Sequence, residues 1–128
     1  MKKIINTSHA PKPIGPYNQA VLANGMLFVS GQIPLNPVTG ELVRGDIQDQ
    51  TRQVMENIKA ILHAAELNFD DVVKCSIFIA DMNDFPKINE TYGKYFGDNA
   101  PARETVQVAA LPMRVDVEIS CIATVGSK

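Results

Sequence analysis

Apolar and polar positions alternate along this chain with two different periods, and the changes of period mark its elements. From Ile47 onward Val54, Ile58, Ile61, Leu62 and Ala65 recur at helical spacing, while Gln48, Asp49, Arg52, Gln53, Glu56 and Lys59 fall on other faces. The pattern predicts a long amphipathic helix from Asp46 to about Leu67-Asn68. Val72 to Ala80 is a β-rich run, and Asp81-Met82-Asn83-Asp84 turns the chain into a second helix from Phe85 to Phe96. Asp84 is the expected N-cap, with Pro86 in the first turn, where its missing N–H costs little. Gly97 to Pro101 closes that helix.

Period-two alternation covers both ends of the chain. A short strand is expected at Lys3 to Asn6, followed by an extended loop stiffened by Pro11, Pro13 and Pro16, with Gly15 breaking regular structure. Gln19 to Ala23 and Met26 to Ser30 form a hairpin through Asn24-Gly25, the pair suited to the positive φ angles of a two-residue turn. Gly31 to Gly45 reads as a loop, with a tight turn at Asn36 to Gly40. Two strands close the chain, Arg103 to Ala109 and Met113 to Val125, linked through Leu111-Pro112. The order ββ(β)αβαββ, without repeat or linker, predicts a single α/β domain spanning residues 1–128: one mixed sheet with two helices on one face.

If the last two strands pair as a hairpin, Thr105 lies opposite Glu118 and Arg103 opposite Ser120. Arg103 and Glu118 are then diagonal neighbours about 7–8 Å apart, on the face the helices leave bare. Ile122 and Ala109 share that face, and the chain holds no further element to cover it. A homo-oligomer with polar residues enclosed between subunits is therefore expected.

Bulk properties narrow the function. At 128 residues one core can bury roughly two-thirds of the unfolded surface. With a net charge of −2 and no Lys/Arg run, nothing favours nucleic acid. Cys75 and Cys121, each within an apolar strand, read as buried free thiols. No window reaches membrane-span or signal-peptide hydrophobicity, so a reducing cytoplasmic setting is expected. His9 and His63 have no companions at ligand spacing, so no metal is expected; phosphate-loop, GxSxG and CxxC patterns are absent from the sequence.

Several residues carry candidate chemistry. The guanidinium of Arg103 can match a carboxylate bidentately, and Glu118 can accept a proton or hold a water; from spacing alone a structural salt bridge, within or between subunits, is the favoured reading. Tyr17, after Gly15-Pro16, can present a phenol to a ligand or lie as a lid on the core. Ser30-Gly31 can offer backbone groups to a ligand, because glycine allows close approach. Asn89 shares a helix face with Phe85 and Tyr92, where its amide can brace the fold or meet a ligand.

Taken together, Ile14-Gly15-Pro16-Tyr17, Phe28 to Pro34, Pro101-Ala102-Arg103, Leu111-Pro112 and Val117-Glu118-Ile119 resemble the RidA/YjgF family of reactive intermediate deaminases, from about Ser8 to Ala123. The resemblance implies a chorismate-mutase-like fold assembled as a homotrimer with clefts between subunits. It also implies cofactor-free hydrolysis of 2-iminobutanoate and 2-iminopropanoate to 2-oxo acids and ammonia. Arg103 maps onto the family's carboxylate-binding arginine and Glu118 onto its water-positioning glutamate. Tyr17, Gly31 and Asn89 map onto ligand-contacting positions, with Ser30 adjacent.

Thr105 stands where many relatives carry cysteine. The resemblance implies that family ligands meet that position largely through its backbone, so threonine is expected to be compatible and a thiol nucleophile is not. Pro112-Met113-Arg114-Val115-Asp116 departs from the commoner Pro-Lys-Asp turn at the cleft rim. The family also contains members with regulatory roles, so a non-enzymatic trimer that binds small carboxylates is the alternative. A translation-inhibiting ribonuclease, attached to some relatives, fits the charge poorly.

Overall fold

In the computed structural model, which describes residues 1–126, six strands form one sheet in the order β1-β2-β3-β6-β4-β5. The strands are β1 (Lys3–Ile5), β2 (Ala20–Ala23), β3 (Met26–Gln32), β4 (Val72–Ile79), β5 (Ala102–Gln107) and β6 (Val117–Thr124). Helices α1 (Ile47–Ala64) and α2 (Phe85–Gly93) pack against one sheet face and each other. The expected single mixed sheet with two helices on one face is what forms.

The helix stripe is the core. Val54, Ile58, Ile61 and Leu62 of α1 are buried against Leu27, Val29, Val117, Ile119 and Ala123 from the inward positions of β3 and β6. Asp46 caps α1 by accepting from the Asp49 N–H at 2.9 Å. Both helices stop about three residues earlier than the apolar pattern suggests, at Ala64 and Gly93. Asp84 makes no side-chain cap; Asp81 instead accepts from Asn83 in the single 3-10 turn that precedes α2. The β2–β3 turn has Asn24 and Gly25 at φ 52° and 74°, the paired positive angles that asparagine and glycine tolerate.

The last two strands do not form the expected hairpin. β5 lies at the sheet edge, parallel to β4, with Cys75 opposite Arg103 and Ile77 opposite Thr105. β6 runs antiparallel to β4 on its other side, with Phe78 opposite Glu118 and Ser76 opposite Ser120. Helix α2 supplies the crossover that a parallel neighbour needs, and residues 112–114 form a 3-10 turn rather than a strand start. Ala109 lies beyond the end of β5.

Opposite the helices, the sheet is bare. Phe28 is 44% exposed, Val106 42% and Ile4 50%, and Phe28 stands directly opposite Val21 and Ile122. On the same face Glu104 bonds to Ser76 and pairs with Lys74 at 2.9 Å. Cys75 and Cys121 are buried free thiols facing each other across β4 and β6, with burial raising the pKa of both.

Candidate functional site

Two local constructions place the sequence-predicted residues, and they lie apart. The first is built around a bulge in β3. Val29 pairs with Cys121, yet the next paired residue, Gln32, meets Ile119, so one extra residue is accommodated at Ser30-Gly31. The bulge returns Gln32 to the core, where it is 6% exposed. Gly31 is left beside Glu118: a Cβ at residue 31 would stand 2.8 Å from the Glu118 carboxyl carbon and 3.0 Å from its Cγ. Glycine thus makes room for the glutamate side chain.

Tyr17 reaches the same place from the leading loop, whose course is set by Gln19. That side chain, 2% exposed, donates to the carbonyls of Thr7, Ala10 and Pro11 at 3.0, 3.2 and 2.8 Å and accepts from the Thr7 N–H at 2.7 Å. Ser30 Oγ donates to the Asn18 carbonyl at 2.6 Å and ties the loop to β3. The serine hydroxyl is therefore occupied in holding the loop. Tyr17 is 46% exposed, and its hydroxyl accepts from the Ile14 N–H at 3.3 Å.

Tyr17, Ser30, Gly31 and Glu118 line one cleft of about 380 Å³, closed by the apolar side chains of Ile14, Ile33 and Pro112. Partial burial raises the Glu118 pKa, because the charged form loses water. No side chain among the described residues bonds or pairs with its carboxylate. Pro112 lines the rim and begins the divergent turn, in which Met113 and Arg114 both take φ of 55°; Arg114, Val115 and Asp116 line a separate pocket with Pro34 and Gln50.

The second construction surrounds Arg103. As the partner of inward-facing Cys75, Arg103 projects to the helix side of the sheet edge. Its Nη1 donates to Asn89 Oδ1 at 2.6 Å, and its guanidinium carbon stands 5.4 Å from the Phe85 ring centre and 5.2 Å from that of Tyr92. Thr105 faces the same way, with its Oγ1 buried and lacking a hydrogen-bond partner.

Arg103 and Glu118 are consequently neither diagonal neighbours nor a salt bridge. They sit on opposite sheet faces, two strands apart across β4 and offset by three residues, which is roughly 10 Å in each direction. The error lay in the assumed hairpin: alternation predicts which residues share a face within a strand, but not which strand is the neighbour. Asn89 lies against Arg103, with its side-chain oxygen already committed. Phe85 and Tyr92 were not singled out as site residues from sequence, although their i, i+7 spacing around Asn89 was the available signal.

A groove of about 420 Å³ passes His9 and His63 along α1, but among the described residues no group of three His, Cys, Asp or Glu could hold a metal. No described helix is long and apolar enough to cross a membrane.

The chain is similar to known proteins over nearly its whole length. A RutC family protein of Pyrococcus horikoshii is 58% identical over 96% of this chain and 98% of its own length. The chloroplastic Reactive Intermediate Deaminase A of Arabidopsis thaliana is 47% identical over 96% of this chain and 66% of its own length. The crystal structure of E. coli TdcF with bound serine superposes with a TM-score of 0.91 at 50% identity, covering 97% of this chain and 99% of that one. A family model described as endoribonuclease L-PSP matches residues 7–125, and with these relatives it shows that the chain belongs to that family, the YjgF/RidA family.

Proposed function

We propose that the protein hydrolyses 2-imino acids, 2-iminobutanoate and 2-iminopropanoate among them, to 2-oxo acids and ammonia at a site shared by two copies of the chain. The observation that carries this reading is the separation of the two half-sites. A carboxylate-binding arginine and a cleft with an unneutralised glutamate lie on different faces of one chain, and a bare apolar sheet face asks for a second copy.

In the proposed site Arg103 of one copy holds the substrate carboxylate. Successive amides of a strand point to alternate sides, and the N–H of Val108 points to β4, where it bonds Ile79; the N–H of Thr105 therefore faces the open sheet edge and can join in. Glu118 of the other copy accepts a proton from water as its oxygen adds to the imine carbon. Glu118 then passes that proton to the nitrogen of the carbinolamine formed from the protonated imine. The C–N bond breaks as the hydroxyl oxygen becomes the 2-oxo carbonyl and gives its proton to solvent, and the nitrogen leaves as ammonia, while Tyr17 closes the cleft and assists binding or proton transfer. Imines are intrinsically electrophilic, so positioning does most of the work.

The relative named a reactive intermediate deaminase and the serine bound to TdcF support a small amino-acid-like ligand. The net charge of −2 weighs against an RNA substrate. We assign the setting as cytoplasmic and the assembly as a homotrimer on the same reading.

Ammonia release from dehydratase-generated 2-iminobutanoate, with semicarbazide trapping of residual imine, tests the assignment. Arg103→Ala should lower the rate about 100-fold or more, the loss expected for a charge-assisted contact, and leave the oligomer intact. Full activity in that variant would overturn it, and saturable carboxylate binding without turnover in the unaltered protein would favour the regulatory alternative.

A further inference from the structure

We infer that Phe85, Asn89 and Tyr92 form a clamp that holds the Arg103 guanidinium in its binding pose before any substrate arrives. The three residues stand at i, i+4 and i+7 on α2 and therefore share one face. Seven residues of helix rise about 10.5 Å. The guanidinium carbon is nearly equidistant from the two rings, at 5.4 and 5.2 Å, with the Asn89 oxygen 2.6 Å from Nη1. The arginine thus lies within cation–π reach of two aromatic rings and is pinned at one nitrogen.

What the clamp lacks is equally telling. Within the described residues Arg103 has no carboxylate within 4.0 Å, the ion pairs being Arg52–Asp49 and Lys74–Glu104. Two rings and a neutral amide restrain the side chain without cancelling its charge, and Arg103 remains an exposed residue. A long side chain fixed in advance spends less rotamer freedom on ligand capture, so the clamp preserves both charge and geometry for an incoming carboxylate. The Tyr92 hydroxyl is buried beside the Cys75 thiol, a weak sulfur partner at best, so the ring rather than the hydroxyl does the holding. Phe85 and Tyr92 are accordingly positioning residues. Their purpose rests on the reading of Arg103 as the carboxylate-binding group.

The test uses the ligand-free oligomer with isotope-labelled arginine, the Arg103 signal being assigned by its absence in Arg103→Lys. The Nε–Hε order parameter of Arg103 should resemble rigid backbone, about 0.8, and fall below about 0.6 in Phe85→Leu and Tyr92→Leu. In those variants KM for 2-iminobutanoate should rise about 3- to 10-fold, the range of one cation–π contact, with kcat changing less. Tyr92→Phe, which restores the ring, should return both readouts to the unaltered values.

An order parameter below about 0.6 in the unaltered protein would overturn the clamp without recourse to any variant. Unchanged mobility and KM in both leucine variants would overturn it as well. Full imine hydrolysis by Arg103→Ala would overturn only the functional reading, since the order parameters decide the clamp in either case.

Discussion

The carboxyl group of Glu118 fills the space that a side chain on Gly31 would need: a Cβ there would stand 2.8 Å from the carboxyl carbon. The β3 bulge and the glycine together leave a half-buried acid at the floor of the cleft. Gly31→Ala should therefore displace Glu118 and lower kcat/KM for imine hydrolysis about 10- to 100-fold. Residue 31 is not in the left-handed region, so the fold should survive, and circular dichroism together with steady-state rates checks both points.

Burial raises the Glu118 pKa in the folded chain. Activity that needs the carboxylate should fall as pH drops through that raised value, and the acid limb of the kcat/KM profile of the unaltered protein should lie above the ordinary glutamate range. The stability effect has the opposite sense. With a folded pKa above the unfolded one, the group favours folding below the ordinary glutamate range, and that contribution is lost as pH rises through the folded value. Glu118→Gln should thus raise Tm slightly at pH 7, by about 1–3 °C for a partly solvated group, and not at pH 4. Thermal melts at the two pH values measure the difference.

Phe28, 44% exposed on the bare sheet face beside Val21 and Ile122, should lie between copies. Phe28→Asp would bury a charge in that contact, at a cost of several kcal/mol, and should shift the sedimentation coefficient to that of a monomer. Imine hydrolysis should disappear with the oligomer, although residue 28 is not among those lining the cleft.

The helices, the Asn24-Gly25 hairpin and the inward-facing rows of the strands were legible because each has a local period or a local turn chemistry. The neighbour of β5 was not, since Arg103, Thr105 and Gln107 alternate with Val106 and Val108 in the same way whether the strand pairs with β4 or β6. The strand–helix–strand order of β4, α2 and β5 was the better guide, because it permits a parallel crossover. The candidate residues fall into two groups, one on each face of the sheet, and that division depends on the pairing of β5 with β4. Gln19 was read only as the start of a strand; its four hydrogen bonds to Thr7, Ala10 and Pro11 join segments that no local pattern relates. The β3 bulge also escaped the sequence, because a single inserted residue leaves the alternation on either side intact.

The shared site makes a prediction that no one-copy site shares. Arg103→Ala and Glu118→Gln proteins, each inactive alone, can be unfolded, mixed in equal amounts and refolded together. In a mixed ring each site draws Arg103 from one copy and Glu118 from the next, so about one quarter of the sites should regain both residues. Imine hydrolysis should then recover to about one quarter of the unaltered rate. A mixture that stays as inactive as its separate components, despite verified subunit exchange, would contradict a site built from two copies.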